Sequence, residues 1–116
     1  MPMTRTRPIQ WITAALKDFQ KFPVGAKNAC LTALKISAEG SNADLAKPLK
    51  GLGAGVMEIA LPYRGNAIRV VYALQIGTDI WVVHAFQKKS TQGTKTPKHE
   101  IDLVTDRIKR LKEMLR

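Results

Sequence analysis

The residues best suited to chemistry lie in a basic segment, residues 86–99. It contains no acidic residue and four lysines, Lys88, Lys89, Lys95 and Lys98. Its hydroxyl residues include Ser90, Thr91 and Thr94. The segment follows a predicted strand and leads into a predicted helix. Phosphate is commonly held at such places by cationic side chains and by the free N–H groups of a helix start. A lysine-rich loop can equally face solvent, so the pattern indicates phosphate binding without requiring it.

Arg69 interrupts an otherwise apolar strand, where a charge needs a partner or a function. Side chains alternate between the two faces of a strand. Ile68, Val70 and Tyr72 therefore define a core face, and Arg69 projects from the opposite face, which we expect to be open or lightly covered. The pattern alone favours an exposed arginine paired with Glu58 of the preceding strand. The alternative is an arginine held rigidly toward a phosphate that gains charge in a transition state.

The two histidines allow a structural or a catalytic interpretation. His84 shares a predicted strand with Val82 and Phe86, and this apolar setting favours a hydrogen-bonded histidine in the core. His99 stands at a predicted helix start beside Lys98. A neutral imidazole at that position could act as a base.

The charge balance points to a polyanionic partner. Nineteen Lys and Arg against nine Asp and Glu give the 116 residues a formal net charge of +10. A field of this size in a small domain attracts nucleic acid or an acidic protein. Charges kept only for solubility would serve that purpose equally well with mixed signs.

The length and the remaining composition describe a single domain, residues 1–116. Cys30 is the single cysteine, so no intramolecular disulfide can form, and we expect it to be buried by its apolar neighbours. One Cys and two His leave too few ligands for a structural zinc site, and no cofactor is predicted. The sequence contains neither an apolar run of the ~20 residues needed for a membrane span nor an apolar core after its basic start. We therefore expect a cytoplasmic location.

Apolar residues at helical spacing predict two N-terminal helices. The first should end near Phe22, because Pro23 disfavours a helical conformation in the residue before it; its apolar stripe is Ile9, Ile12, Leu16 and Phe19. The second should begin at Pro23 and end at Gly40, a favourable C-terminal cap. Its inward side chains are predicted to be Leu31, Leu34 and Ala38.

Segments rich in β-branched and aromatic residues predict three strands, residues 56–61, 67–76 and 80–86. Their short connections imply antiparallel hairpins. An amphipathic C-terminal helix follows, with Thr96 as its N-cap and Pro97 in its first position; its apolar face is Ile101, Val104, Ile108, Leu111 and Leu115. The order of elements predicts an α+β fold with the helices on one face of an antiparallel sheet.

Three blocks of sequence stand out in order along the chain: LKGLGAGVMEI at 49–59, IRVVY at 68–72, and HAFQKK at 84–89 followed by KTPK at 95–98. Together they resemble the phage-derived, HigB-like branch of the RelE/ParE toxin superfamily of type II toxin–antitoxin systems. The similarity runs from about Lys47 to Arg110. It implies a RelE-like compact microbial RNase-like fold with two N-terminal helices, an antiparallel sheet and a C-terminal helix. It also implies a helix-turn-helix antitoxin as partner.

The resemblance further implies an activity. Ribosome-dependent members of the superfamily cut messenger RNA in the A site without a metal, by attack of a ribose 2′-hydroxyl on the adjacent phosphate. The expected function is therefore that of a metal-independent endoribonuclease, an mRNA interferase that inhibits translation. The alternatives are a ParE-like inhibitor of DNA gyrase and a non-catalytic RNA- or ribosome-binding inhibitor of translation. A fold alone cannot decide among them, but the basic segment favours an RNA ligand.

Position by position, Arg69 matches the strand arginine that binds the scissile phosphate, and Lys89, with Lys88 beside it, matches the basic residue that ends the last strand. The resemblance thus makes these three the expected catalytic residues and reverses the interpretation of Arg69. Two features of RelE are missing. Its strand lysines correspond here to Glu58 and Ala60, and its tyrosine beyond the last strand has no counterpart. The general acid and base stay unassigned, and the residues expected to bind RNA are Lys50, Arg64, Lys95, Lys98 and His99.

Overall fold

A computed structural model describes residues 6–90 and 95–115 of the chain. The elements of these residues are, in order, β1 (Ile9–Trp11), α1 (Thr13–Gln20), α2 (Val24–Ala38), β2 (Ala46–Pro48), β3 (Val56–Tyr63), β4 (Asn66–Ala73), β5 (Ile80–Lys89) and α3 (Lys98–Met114). Thr91 and Thr94, two of the predicted phosphate donors, lie outside the described residues. In the described part of the chain, every helix is too short or too polar to cross a membrane.

The described strands form one sheet in the order β1-β5-β4-β3-β2. Strands β3, β4 and β5 make the predicted antiparallel meander. The sequence did not reveal the two short edge strands, β2 antiparallel to β3 and β1 parallel to β5. The expected start of the first helix at Ile9 is therefore wrong: Ile9 and Trp11 lie at strand spacing, pair with β5 and pack on one hydrophobic cluster.

Helices cover both faces of the sheet, so the prediction that they share one face is wrong. One hydrophobic cluster joins α1 and α2 to the face that carries Ile68, Val70 and Tyr72. A second cluster lies on the other face, which we call the α3 face, where α3 covers Val71 and Val83. Because both faces of β4 are apolar, each must be shielded from water by another layer.

Helix α2 ends in the predicted way. Gly40 has a φ of +91°, and the N–H groups of Gly40 and Ser41 donate to the carbonyls of Ser37 and Ile36 at 3.0 and 3.1 Å. This pair of bonds is the Schellman motif, which favours glycine at the left-handed position. Pro23 is the N-cap of α2 rather than its first residue. Leu31 is 44% exposed, so its predicted inward orientation is wrong.

The register between β4 and β5 contains a β-bulge. Val71 pairs with His84 and Tyr72 pairs with Val82, which leaves Val83 as the extra residue. Val83 and His84 both face α3 as a result. The predicted grouping of His84 with Val82 is therefore wrong, since Val82 belongs to the cluster under α1 and α2. Phe86 does share the face of His84, and the two rings stack with centroids 5.1 Å apart.

Candidate active site

Strand pairing brings the chemically active side chains together on the α3 face. Lateral neighbours in a sheet project from the same face, so rows can be read across β3, β4 and β5. Three successive rows are Glu58, Val71 and His84, then Ala60, Arg69 and Phe86, then Pro62, Ala67 and Lys88. Glu58, Arg69, His84 and Lys88 thus lie side by side beneath the start of α3.

Arg69 pairs with Glu58, as the strand pattern alone indicates. Its Nε atom lies 3.8 Å from Oε1 of Glu58. The arginine is only 6% exposed, however, so the expectation of an exposed side chain on an open face is wrong. Residues at the start of α3 cover this face, and a cation buried in this way requires a nearby countercharge.

Thr96 lies directly against this ion pair. Its hydroxyl donates a hydrogen bond of 2.6 Å to Oε2 of Glu58. The predicted role of Thr96 as N-cap is therefore wrong: Pro97 occupies the cap position, and no side chain caps the helix. Beside it, Nζ of Lys88 donates to the backbone oxygen of Lys95 at 2.6 Å. These two bonds hold residues 95 and 96 against the α3 face.

His84 is a buried, hydrogen-bonded histidine, as predicted, with 3% of its surface exposed. Nη1 of Arg107 lies 3.0 Å from Nδ1 of His84, and Nε2 of His84 lies 2.9 Å from Oε2 of Glu100. A guanidinium can only donate, so Nδ1 is the acceptor and Nε2 carries the hydrogen that is donated to Glu100. The imidazole is therefore neutral and held in one tautomer.

These side chains form a charge-balanced group, which we call the polar cluster: Glu58, Arg69, His84, Glu100 and Arg107. Glu58 faces Arg69, and Glu100 and Arg107 bond to the imidazole of His84, so the formal charges of the two carboxylates and the two guanidinium groups cancel. Nη1 of Arg107 also donates to the backbone oxygen of Val83 at 3.0 Å, which uses a carbonyl at the bulge. Compensation of this kind is what permits so many polar groups between two packed layers. No three His, Cys, Asp or Glu side chains meet as a metal-binding group within residues 6–90 and 95–115.

The structure separates the two lysines at the end of β5. Lys88 projects from the α3 face, one row beyond Arg69, whereas Lys89 pairs with Asn66 and projects from the opposite face. Lys89 is exposed, while Lys88 is partly buried by its bond to Lys95. The lysine that shares the face of Arg69 is therefore Lys88.

Two of the predicted RNA-binding residues, Arg64 and Lys95, lie at one end of the sheet. The turn of the β3–β4 hairpin lies beside the end of β5, where the N–H of Ser90 donates to the oxygen of Gly65 at 3.0 Å. We call this region the basic end; its exposed cations are Arg64 in the turn and Lys95, whose backbone oxygen accepts from Lys88. Lys98 and His99 are exposed in the first turn of α3, where His99 lies beside Glu100. Lys50 lies at the opposite end of β3, next to Leu49, which bonds to Val56. An eight-residue strand spans roughly 25 Å, so Lys50 is not part of this group.

Lys47 is a candidate that sequence reasoning missed. It pairs with Glu58 across β2 and β3, and it is exposed at the edge of the α3 face. Lys47 thus places a cation beside Glu58. Its strand contains only three residues, too few to show any periodicity, so no signal in the sequence could have revealed the pairing.

The fold is that of RelE-type toxins, as predicted. The chain itself belongs to the family of phage-derived proteins similar to Gp49, whose model matches residues 17–109.

Two solved structures share the fold. The first is a mutant of the Escherichia coli toxin RelE in the free state, with a TM-score of 0.61 and 16% identity over 90% of this chain and 97% of that one. The second is a chain of the toxin–antitoxin complex RelBE2 from Mycobacterium tuberculosis, with a TM-score of 0.51 and 18% identity over 76% of this chain and 98% of that one. No curated protein sequence matches this chain.

Proposed function

We propose that this protein is the toxin of a type II toxin–antitoxin system and that it cleaves messenger RNA on the ribosome. The observation that carries the proposal is the position of Arg69. It is held on a rigid strand of a RelE-type sheet, 3.8 Å from a carboxylate and one row from Lys88. Arg69 lies near the middle of β4, and Lys88 lies near the end of β5, next to the basic end, where an RNA backbone would be attracted.

Cleavage through the ribose 2′-hydroxyl makes few demands on a protein. The attacking oxygen, the phosphorus and the leaving oxygen must be held in line, and positive charge must face the phosphate as its charge rises. Arg69 and Lys88 are suited to that second task because their backbones are fixed by pairing on β4 and β5. The exposed cations of the basic end are suited to hold flanking phosphates, a contact that weakens with salt.

The proposed partners follow from the same charge distribution. A net charge of +10 favours both ribosomal RNA and an acidic segment of an antitoxin. We propose a helix-turn-helix antitoxin encoded beside this protein, and a cytoplasmic site of action because ribosomes are the target. The antitoxin need not enter the polar cluster, since binding at the basic end would suffice to keep the protein from the ribosome.

Primer extension tests the proposal by mapping the 5′ ends of messenger RNA in a translating extract to which the protein has been added. New ends inside translated codons, absent with Arg69→Ala, are the expected result. Arg110→Ala is a matched control, because Arg110 is an exposed arginine on α3 paired with Asp106, and it should cleave like the wild type. Intact messenger together with cleaved or poorly supercoiled DNA would instead indicate a gyrase inhibitor. Intact messenger with blocked translation would indicate a non-catalytic binder.

A further inference from the structure

We propose that Glu58 is the general base of RNA cleavage, and that the hydroxyl of Thr96 occupies the position of the ribose 2′-hydroxyl while the site is closed. This inference rests on the proposed function and deepens it, because it assigns the proton acceptor of the reaction and identifies residues 95 and 96 as an internal substitute for the substrate.

The two oxygens of Glu58 have separate neighbours. Oε1 faces Nε of Arg69 at 3.8 Å, and Oε2 accepts a hydrogen bond from Thr96 at 2.6 Å. The 2′-hydroxyl that attacks belongs to the ribose next to the scissile phosphate. If Arg69 holds that phosphate, the base must lie beside Arg69 and must have an oxygen available for a hydroxyl. Glu58 meets both conditions, and its side chain is fixed on the paired strand β3.

The contact between Thr96 and Glu58 has the chemistry of the reactant complex. Threonine carries a secondary alcohol, as the 2′ position of ribose does, and it donates to the carboxylate at a distance typical of a strong, charge-assisted bond. In the neighbouring bond, a protein group likewise takes the place proposed for an RNA group. Lys88, a phosphate-binding candidate, donates instead to the backbone oxygen of Lys95. An RNA strand bound at this face would replace both bonds with contacts of the same kind.

The other titratable groups of the cluster are already engaged. Both nitrogens of His84 are used by Arg107 and Glu100. Glu100 accepts from His84 and lies 3.5 Å from Nε2 of His99 on its other oxygen. The cations that flank Glu58 are Arg69 on β4 and Lys47 on β2. Glu58 is therefore the carboxylate of the cluster that lies beside Arg69 and that an incoming hydroxyl can reach by displacing Thr96.

The proposed step is balanced in atoms and electrons. Glu58 accepts the proton of the 2′-hydroxyl as the 2′-oxygen forms a bond to phosphorus. The bond between phosphorus and the 5′-oxygen breaks, and the leaving oxygen takes a proton from water. The products are a 2′,3′-cyclic phosphate and a free 5′-hydroxyl, and Glu58 then returns its proton to solvent.

Single-turnover cleavage of a defined messenger on programmed ribosomes tests the assignment. Glu58→Gln keeps the shape of the side chain but cannot accept the proton, so cleavage should fall by roughly 10²–10⁴-fold, the usual contribution of a general base. Thr96→Val removes the competing hydroxyl, so cleavage should rise by roughly tenfold to a hundredfold, as the loss of one hydrogen bond to a charged group predicts. Glu113→Gln and Thr105→Val, exposed positions on α3, are matched controls and should leave the rate unchanged.

The opposite signs of the two effects distinguish catalysis from stabilisation. If Glu58 and Thr96 only hold α3 in place, both variants should lose cleavage together, in step with a lower melting temperature, and that result would overturn the proposal. Wild-type rates with Glu58→Gln would overturn it as well, while leaving the proposed function intact. A wild-type protein that leaves messenger uncut would overturn both. If Glu58→Gln fails to fold, Glu58→Asp provides the readout: it keeps a carboxylate that can accept the proton, so it should retain cleavage, and loss of cleavage by a folded Glu58→Asp would overturn the assignment.

Discussion

The guanidinium of Arg107 lies 3.0 Å from Nδ1 of His84, on the side of the ring opposite to the bond with Glu100. Glu100 and Arg107 are seven residues apart on α3, which is about two helical turns. A single buried imidazole on β5 is therefore bonded at two points along the helix that covers the candidate active site. This relationship fixes the position of α3 on the sheet.

Replacing His84 should destabilise the protein strongly. His84→Ala leaves both a carboxylate and a guanidinium in a mostly buried place without their common partner, so the free energy of unfolding should fall by about 2–4 kcal/mol. Urea unfolding followed by circular dichroism measures the change. His99→Ala is the control, because that side chain is 79% exposed and its loss should be worth under about 0.5 kcal/mol. A loss below about 1 kcal/mol for His84→Ala would show that the cluster does not hold α3.

The two lysines at the end of β5 should differ in their contribution to cleavage. Lys88 shares the face of Arg69, whereas Lys89 projects from the other face. Lys88→Ala should therefore lower the cleavage rate by about tenfold or more, and Lys89→Ala by less than about threefold, where tenfold corresponds to ~1.4 kcal/mol. Primer extension on programmed ribosomes measures both. Equal losses would mean that the strand ends bind RNA only through their summed charge.

Substitutions of Arg64 separate the contribution of its charge to ribosome binding from the contribution of its backbone conformation to stability. Arg64 and Gly65 have φ values of +49° and +81°, as the two-residue turn of a tight hairpin requires. Asparagine tolerates this conformation and valine does not, so Arg64→Val should lose about 1–2 kcal/mol of stability and Arg64→Asn about 0.5 kcal/mol or less. Both should weaken binding to ribosomes equally, because both remove the cation. Sedimentation with ribosomes and thermal unfolding separate the two effects, and unequal binding would count against a role for the charge.

Because Cys30 is buried, the free energy of unfolding should decrease as the pH rises into the alkaline range. The side chain is fully buried, and burial raises the pKa of its thiol from 9.0 to about 11. The unfolded chain loses this proton near pH 9 while the folded chain keeps it, so stability is complete below pH 9 and declines as the pH rises toward 11. Two pKa units correspond to roughly 2–3 kcal/mol. Cys30→Ala should show a shallower decline, as measured by urea unfolding at several pH values; equal slopes would contradict the assignment.

Sequence periodicity predicted the parts of the fold that have a strong local signal. Alternation along β4 correctly placed Arg69 opposite Ile68 and Val70, and the short connections predicted the meander of β3, β4 and β5. The same reasoning failed at Ile9, because a strand of three residues is too short to show alternation, while Ile9 stands at a helical spacing from Ile12. It also failed at Val83, because a bulge depends on the partner strand.

The candidate site depended even more on contacts distant in sequence. Thr96 has good helix-capping chemistry, yet its hydroxyl bonds to Glu58, 38 residues earlier in the chain. Nothing local distinguishes the two outcomes. The resemblance to RelE-type toxins predicted Arg69 and the lysine pair as catalytic residues, but only the register of β5 shows which lysine shares a face with the arginine.

The sheet separates two hydrophobic clusters, so one of its faces can lose its helix layer while the other face stays covered. The cluster under α1 and α2 includes Tyr72, whose hydroxyl bonds to Ser37, whereas the cluster under α3 depends on the helix residues Val104, Ile108 and Leu111. Detachment of α3 would expose one face of β4 while the opposite layer stays packed. Native-state hydrogen exchange should accordingly divide the chain into two units, with the amides of α3 exchanging deuterium before those of α2 and β4.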